Sequence, residues 1–265
     1  MTIMIHEIPF DWMRDELTIT GSIKRGEQGS KARLVQEWLT LNGIGLKLDD
    51  DYGGVTETAV TMFQAASALD ETGEVDQTTL DMLVAPMLRA LTPPGHTLSY
   101  GEFIADYARR HLNERPREIG GQNRGPWVRL YMHGHEGNDY PWCAGFVSLV
   151  MRQSALHLGV DLPVTTSFGC DELAQNAKDR NRFYSELEAD DGSNSSGLFG
   201  ALFLNRKTAT DWTHTGVVTA FGEGYFHTIE GNTNDEGGRE GYEVCERLRG
   251  YSDTDFILLG DQSGL

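Results

Sequence analysis

Cys143 follows Pro141-Trp142 and opens an apolar run, Cys143-Ala144-Gly145-Phe146-Val147, so its thiol stands at the start of a predicted helix. A helix N-terminus carries about half a positive charge, which favours thiolate over thiol. A nucleophile needs that environment, although free cysteine is also among the most buried residue types and can simply fill core. Partners decide between the two. A thiolate nucleophile needs an imidazole to take or balance its proton, and the imidazole needs a polar neighbour that fixes its tautomer. Downstream the chain offers His214, then Glu230 and Asn232, and either of the last two can hold the imidazole. A lone histidine on a strand is ordinarily a satisfied core residue. Thiol, imidazole, carboxylate and amide in this order favour a cysteine hydrolase instead.

The elements that must position these groups are legible in the spacing. Cys143, Phe146, Val147, Val150 and Met151 recur at helical intervals, which predicts a helix with the thiol in its first turn, on the packed face, and Gly159 as its stop. Residues 214–220 and 225–230 are β-rich runs around Gly222-Glu223-Gly224, a hairpin signal. With those three residues as the loop, His214 faces Asn232, Gly216 faces Glu230 and Val218 faces Thr228, all on one face of the pair. His227 then faces Thr219 on the other side. A slip of one residue would undo the convergence.

The first part of the chain reads differently. Residues 31–41 carry Leu34, Val35, Trp38 and Leu41 at helical spacing, and residues 56–68 carry Ala59, Val60 and Phe63. A third helix is predicted over 76–91, opened by a cap at Asp76 and carrying Leu80, Leu83, Val84, Met87 and Leu88. Thr92-Pro93-Pro94-Gly95 ends it. The boundary is placed there, with a helical module over 1–92, its core about 21–91, and a second module over 96–265.

Composition narrows the partners. The 265 residues hold 22 Lys plus Arg against 40 Asp plus Glu, a formal charge of -18, which argues against nucleic acid and against anionic lipid. No stretch approaches the ~18 apolar residues of a membrane span, and Asp11, Asp15 and Glu16 stand where an export signal would be apolar. Synthesis in the cytoplasm without a signal peptide is expected. Cys143, Cys170 and Cys245 are too few and too scattered for a disulfide framework and are read as free thiols. His133-Gly134-His135-Glu136 is too sparse for a metal site, and residues 232–237 with Glu243 echo a calcium loop without its flanking helices. Residues 190–197 read as a solvated loop. No metal and no cofactor is expected.

In the first module, Gly29, Val35-Gln36, Leu39, Gly43, Asp51-Tyr52-Gly53-Gly54-Val55-Thr56, Ala59-Val60, Phe63-Gln64, Gly73-Glu74-Val75-Asp76, Thr79 and Leu80 resemble the peptidoglycan-binding domain of cell-wall hydrolases, with Asp50-Asp51 departing from the usual Asp-Gly. In the second, Pro141-Trp142-Cys143-Ala144-Gly145-Phe146-Val147, His214-Thr215-Gly216-Val217-Val218 and Glu230-Gly231-Asn232 resemble the CHAP branch of the NlpC/P60-type, papain-related cysteine amidohydrolases. The segment Gly120-Gly121-Gln122-Asn123-Arg124-Gly125-Pro126 and residues 128–131 also resemble what precedes that cysteine. Thr213 in place of glycine and the long stretch over 179–200 depart from the pattern.

The resemblance implies an α+β, papain-like catalytic domain behind a small three-helix wall-binding domain. It also implies a peptidoglycan amidase or stem-peptide endopeptidase with Cys143 as nucleophile, His214 as general base then acid, and Glu230 and Asn232 orienting the histidine. Peptidoglycan would be the partner, the protein would be a monomer, and it would reach the wall by holin-dependent release, as an endolysin does, or by a secretion machine. The rival classes are a silent wall-binding or structural protein and a cysteine protease or acyltransferase acting on protein.

Overall fold

The computed structural model describes residues 10–95, 99–186, 195–234 and 241–260. In chain order its helices are α1 (Asp11–Leu17), α2 (Ser30–Leu41), α3 (Gly54–Ala66), α4 (Gln77–Leu83), α5 (Ala85–Leu91), α6 (Tyr100–Asn113), α7 (Pro126–Tyr131), α8 (Cys143–Leu158) and α9 (Cys170–Lys178). The strands are β1 (Phe183–Tyr184), β2 (Leu202–Thr208), β3 (Asp211–Gly222), β4 (Tyr225–Thr233), β5 (Glu243–Arg249) and β6 (Thr254–Ile257). The architecture is α+β, with an antiparallel sheet in the order β1-β6-β2-β3-β4-β5.

The chain divides into two compact units, one made of Thr2–Arg89 with Glu118–Gly137, the other of Ala90–Arg117 with Asn138–Leu265. The single break drawn from sequence at 92–95 is therefore redrawn, because the strip 118–137 packs with the first unit. Its anchor is Arg129 on α7, whose guanidinium donates to Glu16 (2.5 and 3.1 Å), Glu37 (2.7 Å) and Glu136 (2.8 Å). Beside it, buried Trp127 meets buried Trp38 edge-on at 6.1 Å. Burying a large apolar side chain contributes about 2 kcal/mol, so the strip is held by core and not by charge alone.

Within the first unit two buried glutamines do parallel work. Gln36 on α2 donates to Asp49 (2.8 Å) and to the Asp51 carbonyl (3.1 Å), while its oxygen accepts from the amides of Asp49 and Asp50. Gln64 on α3 donates to the Glu74 carbonyl (2.8 Å) and accepts from the Gly73 amide (2.9 Å). Each satisfies loop backbone groups that would otherwise be buried unpaired, at a cost of 1–3 kcal/mol per group by order of magnitude. The third helix expected over 76–91 opens as read, with Asp76 accepting from the Thr79 amide at 2.8 Å, but it breaks at Val84 into α4 and α5. Pro86 supplies the reason, since it has no N–H for the carbonyl four residues back and its ring crowds that turn.

In the second unit α6 starts from a capping box, Ser99 with Glu102. One side of the sheet holds a core of Phe203, Val218, Phe226, Phe256 and Leu258. Strand β4 meets α8 through Gly231, where an added Cβ would come 2.7 Å from Phe146 and 2.8 Å from Trp142. The absence of a side chain at Gly231 lets the start of α8 lie against the strand that carries Glu230 and Asn232.

Candidate active site

Cys143 is the first residue of α8, buried, behind a Trp142 N-cap that has no side-chain cap. The backbone donors of that first turn are therefore left for a negative group, and the Ala144 amide favours the thiolate. Asn232 fixes how the chain runs into this helix. Its Oδ1 accepts from the Trp142 amide at 3.0 Å and its Nδ2 donates to the Gly241 carbonyl at 2.7 Å. It sits at the irregularity in β4 between Glu230 and Thr233 with φ 56, the left-handed region that asparagine tolerates better than most residues. Sequence reasoning gave Asn232 a hold on the histidine; these bonds tie it to the backbone behind the thiol.

His214 lies on β3 and Glu230 on β4, both buried, with His214 Nε2 2.8 Å from Glu230 Oε2. The expected hairpin is present with one correction. Val218 pairs with Thr228 and Val217 with Ile229, but the loop is the two residues Glu223-Gly224, so His227 pairs with Ala220 rather than Thr219. A register shift between Val218 and Ala220 absorbs the difference, which is why the face carrying Glu230 was read in the right phase. Gly216 makes the meeting possible. A Cβ there would come 2.7 Å from Glu230 Cγ and 2.8 Å from the Phe203 ring.

The tautomer follows from the partners of Glu230. Its Oε1 accepts from Thr228 Oγ1 and Arg249 Nε, and its Oε2 from Arg249 Nη2 at 2.6 Å and from the imidazole. Hydroxyl and guanidinium can serve here only as donors to an ionised carboxylate, so the imidazole proton resides on Nε2. That leaves Nδ1 as the basic nitrogen, buried and making no hydrogen bond of its own. Burial pushes the Glu230 carboxyl up, but the bonds from Arg249 and His214 prevail and lower it to about 2. For His214, burial opposes charge and is outweighed by Cys143 and Glu230, raising it to about 9. The Cys143 thiol is held well below its ordinary value, first by the Cys170 thiol and then by His214, against burial. Both shifts favour the thiolate–imidazolium pair over thiol and neutral imidazole.

Two residues at this site were not found from sequence. Cys170 opens α9 with its sulfur 4.0 Å from that of Cys143. Two ties bring α9 there: Ser148 of α8 bonds the Ser167 carbonyl (2.7 Å) and amide, and Asp171 accepts from the Trp212 amide of β3 (2.7 Å). Arg249 reaches Glu230 from β5, four residues along from Cys245, the residue opposite Glu230. All three cysteines are free thiols. Among the described residues no group of three metal-binding side chains forms; Glu136 instead accepts from the Gly125 amide, Arg124 and Arg129. The calcium-like stretch continues into 235–237 and the loop at 190–197 begins over 190–194, outside the described residues.

Comparison with known families places one part of the chain. Residues 28–83 match the family model described as "Putative peptidoglycan binding domain". This likeness supports a peptidoglycan-binding domain over that stretch and, through it, involvement with the cell wall. The residues quoted above for that resemblance lie inside it, the Gln36 and Gln64 hubs among them. A search of the curated proteins found no match. No helix among the described residues is long and apolar enough to cross a membrane.

Proposed function

We propose that the second unit is a papain-like cysteine amidohydrolase that cuts an amide bond of peptidoglycan, delivered to its substrate by the binding domain of the first unit. The observation that carries this reading is the Glu230–His214 hydrogen bond beside a buried thiol at a helix start whose ionisation His214 lowers, the parts of a nucleophile–base–orienter set. In the reaction the Cys143 thiolate attacks the amide carbonyl carbon, and the oxyanion that forms is met by backbone donors of the first turn of α8. His214 then gives its Nδ1 proton to the departing amine, leaving a thioester on Cys143. Water, deprotonated by Nδ1, attacks the thioester; the acid leaves and the thiolate–imidazolium pair is restored. Glu230 stays ionised throughout, holding the ring and balancing its charge. Asn232 keeps the backbone before Cys143 in place.

A silent wall-binding protein is the second reading, favoured by the fact that the family match covers the binding domain alone. Mass spectrometry of purified peptidoglycan incubated under reducing conditions with the intact protein and with Cys143→Ala separates the two. Fragments released only by the intact protein support the hydrolase, and their new ends tell amidase from endopeptidase. No fragments from several wall chemotypes, with sedimentation of the protein on the same walls, supports the binder.

A further inference from the structure

Arg249 is the least expected residue at the site, and its bonds are too specific for a solvated cation. Its Nε and Nη2 both engage Glu230, one on each oxygen, and its guanidinium carbon lies 4.7 Å above the Phe203 ring. Planar stacking and a two-point fork fix a guanidinium in a way an ammonium cannot reproduce. Gly216 lets the arrangement close, since it is paired with Phe203 on one side and lies against Glu230 on the other.

We propose that Arg249 is a positioning residue of the site: its fork aligns Glu230 with His214, and its charge lets the thiolate–imidazolium pair form without net charge in a buried place. The proposal rests on the reading of Cys143 as a nucleophile. The groups that meet here come from five elements: Cys143 on α8, Cys170 on α9, His214 on β3, Glu230 on β4 and Arg249 on β5. Neighbouring charges are engaged elsewhere. Arg247 donates to the Asn234 carbonyl, Glu246 pairs with Arg109 of α6, and Asp255 of β6 takes Trp212 and Arg206.

Thiol, neutral imidazole, carboxylate and guanidinium sum to zero, and so do thiolate, imidazolium, carboxylate and guanidinium. Moving the proton from sulfur to Nδ1 therefore creates no net charge. Without the guanidinium both forms carry one net negative charge, which burial penalises. The relief is to bind a proton, so every acid in the cluster holds its proton to higher pH and less thiolate is present at a given pH on the acid limb. Glu230 would also be free to turn from His214.

The test measures the rate of Cys143 alkylation by iodoacetamide against pH, by peptide mass mapping, in the full chain and in Arg249→Gln and Arg249→Lys. Alkylation needs no peptidoglycan, so its outcome is independent of whether the wall is the substrate. The expected result is a midpoint about one pH unit higher in Arg249→Gln, which makes alkylation on the acid limb about tenfold slower, with Arg249→Lys within a few tenths of a unit of the natural protein. A folded Arg249→Gln with an unchanged midpoint overturns the proposal. Should Arg249→Gln fail to fold, Arg249→Met, neutral and of similar length, takes its place: a midpoint about one unit higher supports the charge role and an unchanged midpoint overturns it.

Discussion

At the residue scale the site is a lesson in how neighbours decide protonation. Buried carboxylate and imidazole would each be driven neutral alone, yet here Glu230 is lowered to about 2 and His214 raised to about 9, because each is bonded to an opposite charge. Two consequences in pH follow. Hydrolysis of peptidoglycan should rise through the depressed ionisation of Cys143, well below the ordinary cysteine value, and fall as pH passes about 9, where the imidazolium is lost; initial rates against pH check this. A single rising limb near the ordinary cysteine value would refute the ion pair. The same shift bears on stability. His214 is raised, so its stabilisation is fully present below about 6.5 and is lost as pH climbs through about 9, which thermal unfolding across that range would register. That Cys143 opens a helix and that His214 meets Glu230 were legible because both rest on residue type and short-range spacing. Arg249 was not, because a long side chain reaching diagonally between strands leaves no periodic trace. Neither was Cys170, which is delivered by ties from Ser148 and Asp171.

At the scale of elements two glycines do what polar side chains cannot. Gly216 clears the space through which Glu230 reaches His214, and Gly231 lets the start of α8 lie on β4. Gly216→Ala should therefore reduce hydrolysis by at least about a hundredfold while costing about 1–3 kcal/mol of stability, the range for overpacking a filled core. Initial rates beside urea unfolding would measure both. Rates near those of the natural protein would mean that Glu230 is not needed in its observed place. The helices were legible where apolar periodicity was clean, as in α2, α3 and α8. The split of α4 from α5 was missed because the apolar pattern runs on through Pro86, which blocks a backbone bond without disturbing the pattern.

At the scale of the whole molecule the strip 118–137 decides how the chain can be cut. Its motif-like residues suggested membership in the catalytic module, but Glu16 and Glu37, which hold Arg129, are 113 and 92 positions away in sequence, and no local pattern announces such a pairing. A chain beginning at residue 96 would retain Trp127, Leu130 and Tyr131 without the core that buries them. Limited proteolysis with mass spectrometry should show that truncated chain cleaved within 118–137 at protease levels the full chain resists. Equal resistance would show that the strip needs no partner from the first ninety residues.

The same interleaving constrains synthesis and inheritance. Residue 137 must leave the ribosome before the first unit can close, and by then α6 of the second unit has already emerged. A nascent chain thus carries an unsealed wall-binding core through the making of the next unit's first helix. A single genetic crossover near residue 92 would hand the second unit a foreign binding domain and strand the strip that the old one enclosed. Exchange of the binding module that keeps both cores whole requires three crossovers, one on each side of α6 and one after residue 137.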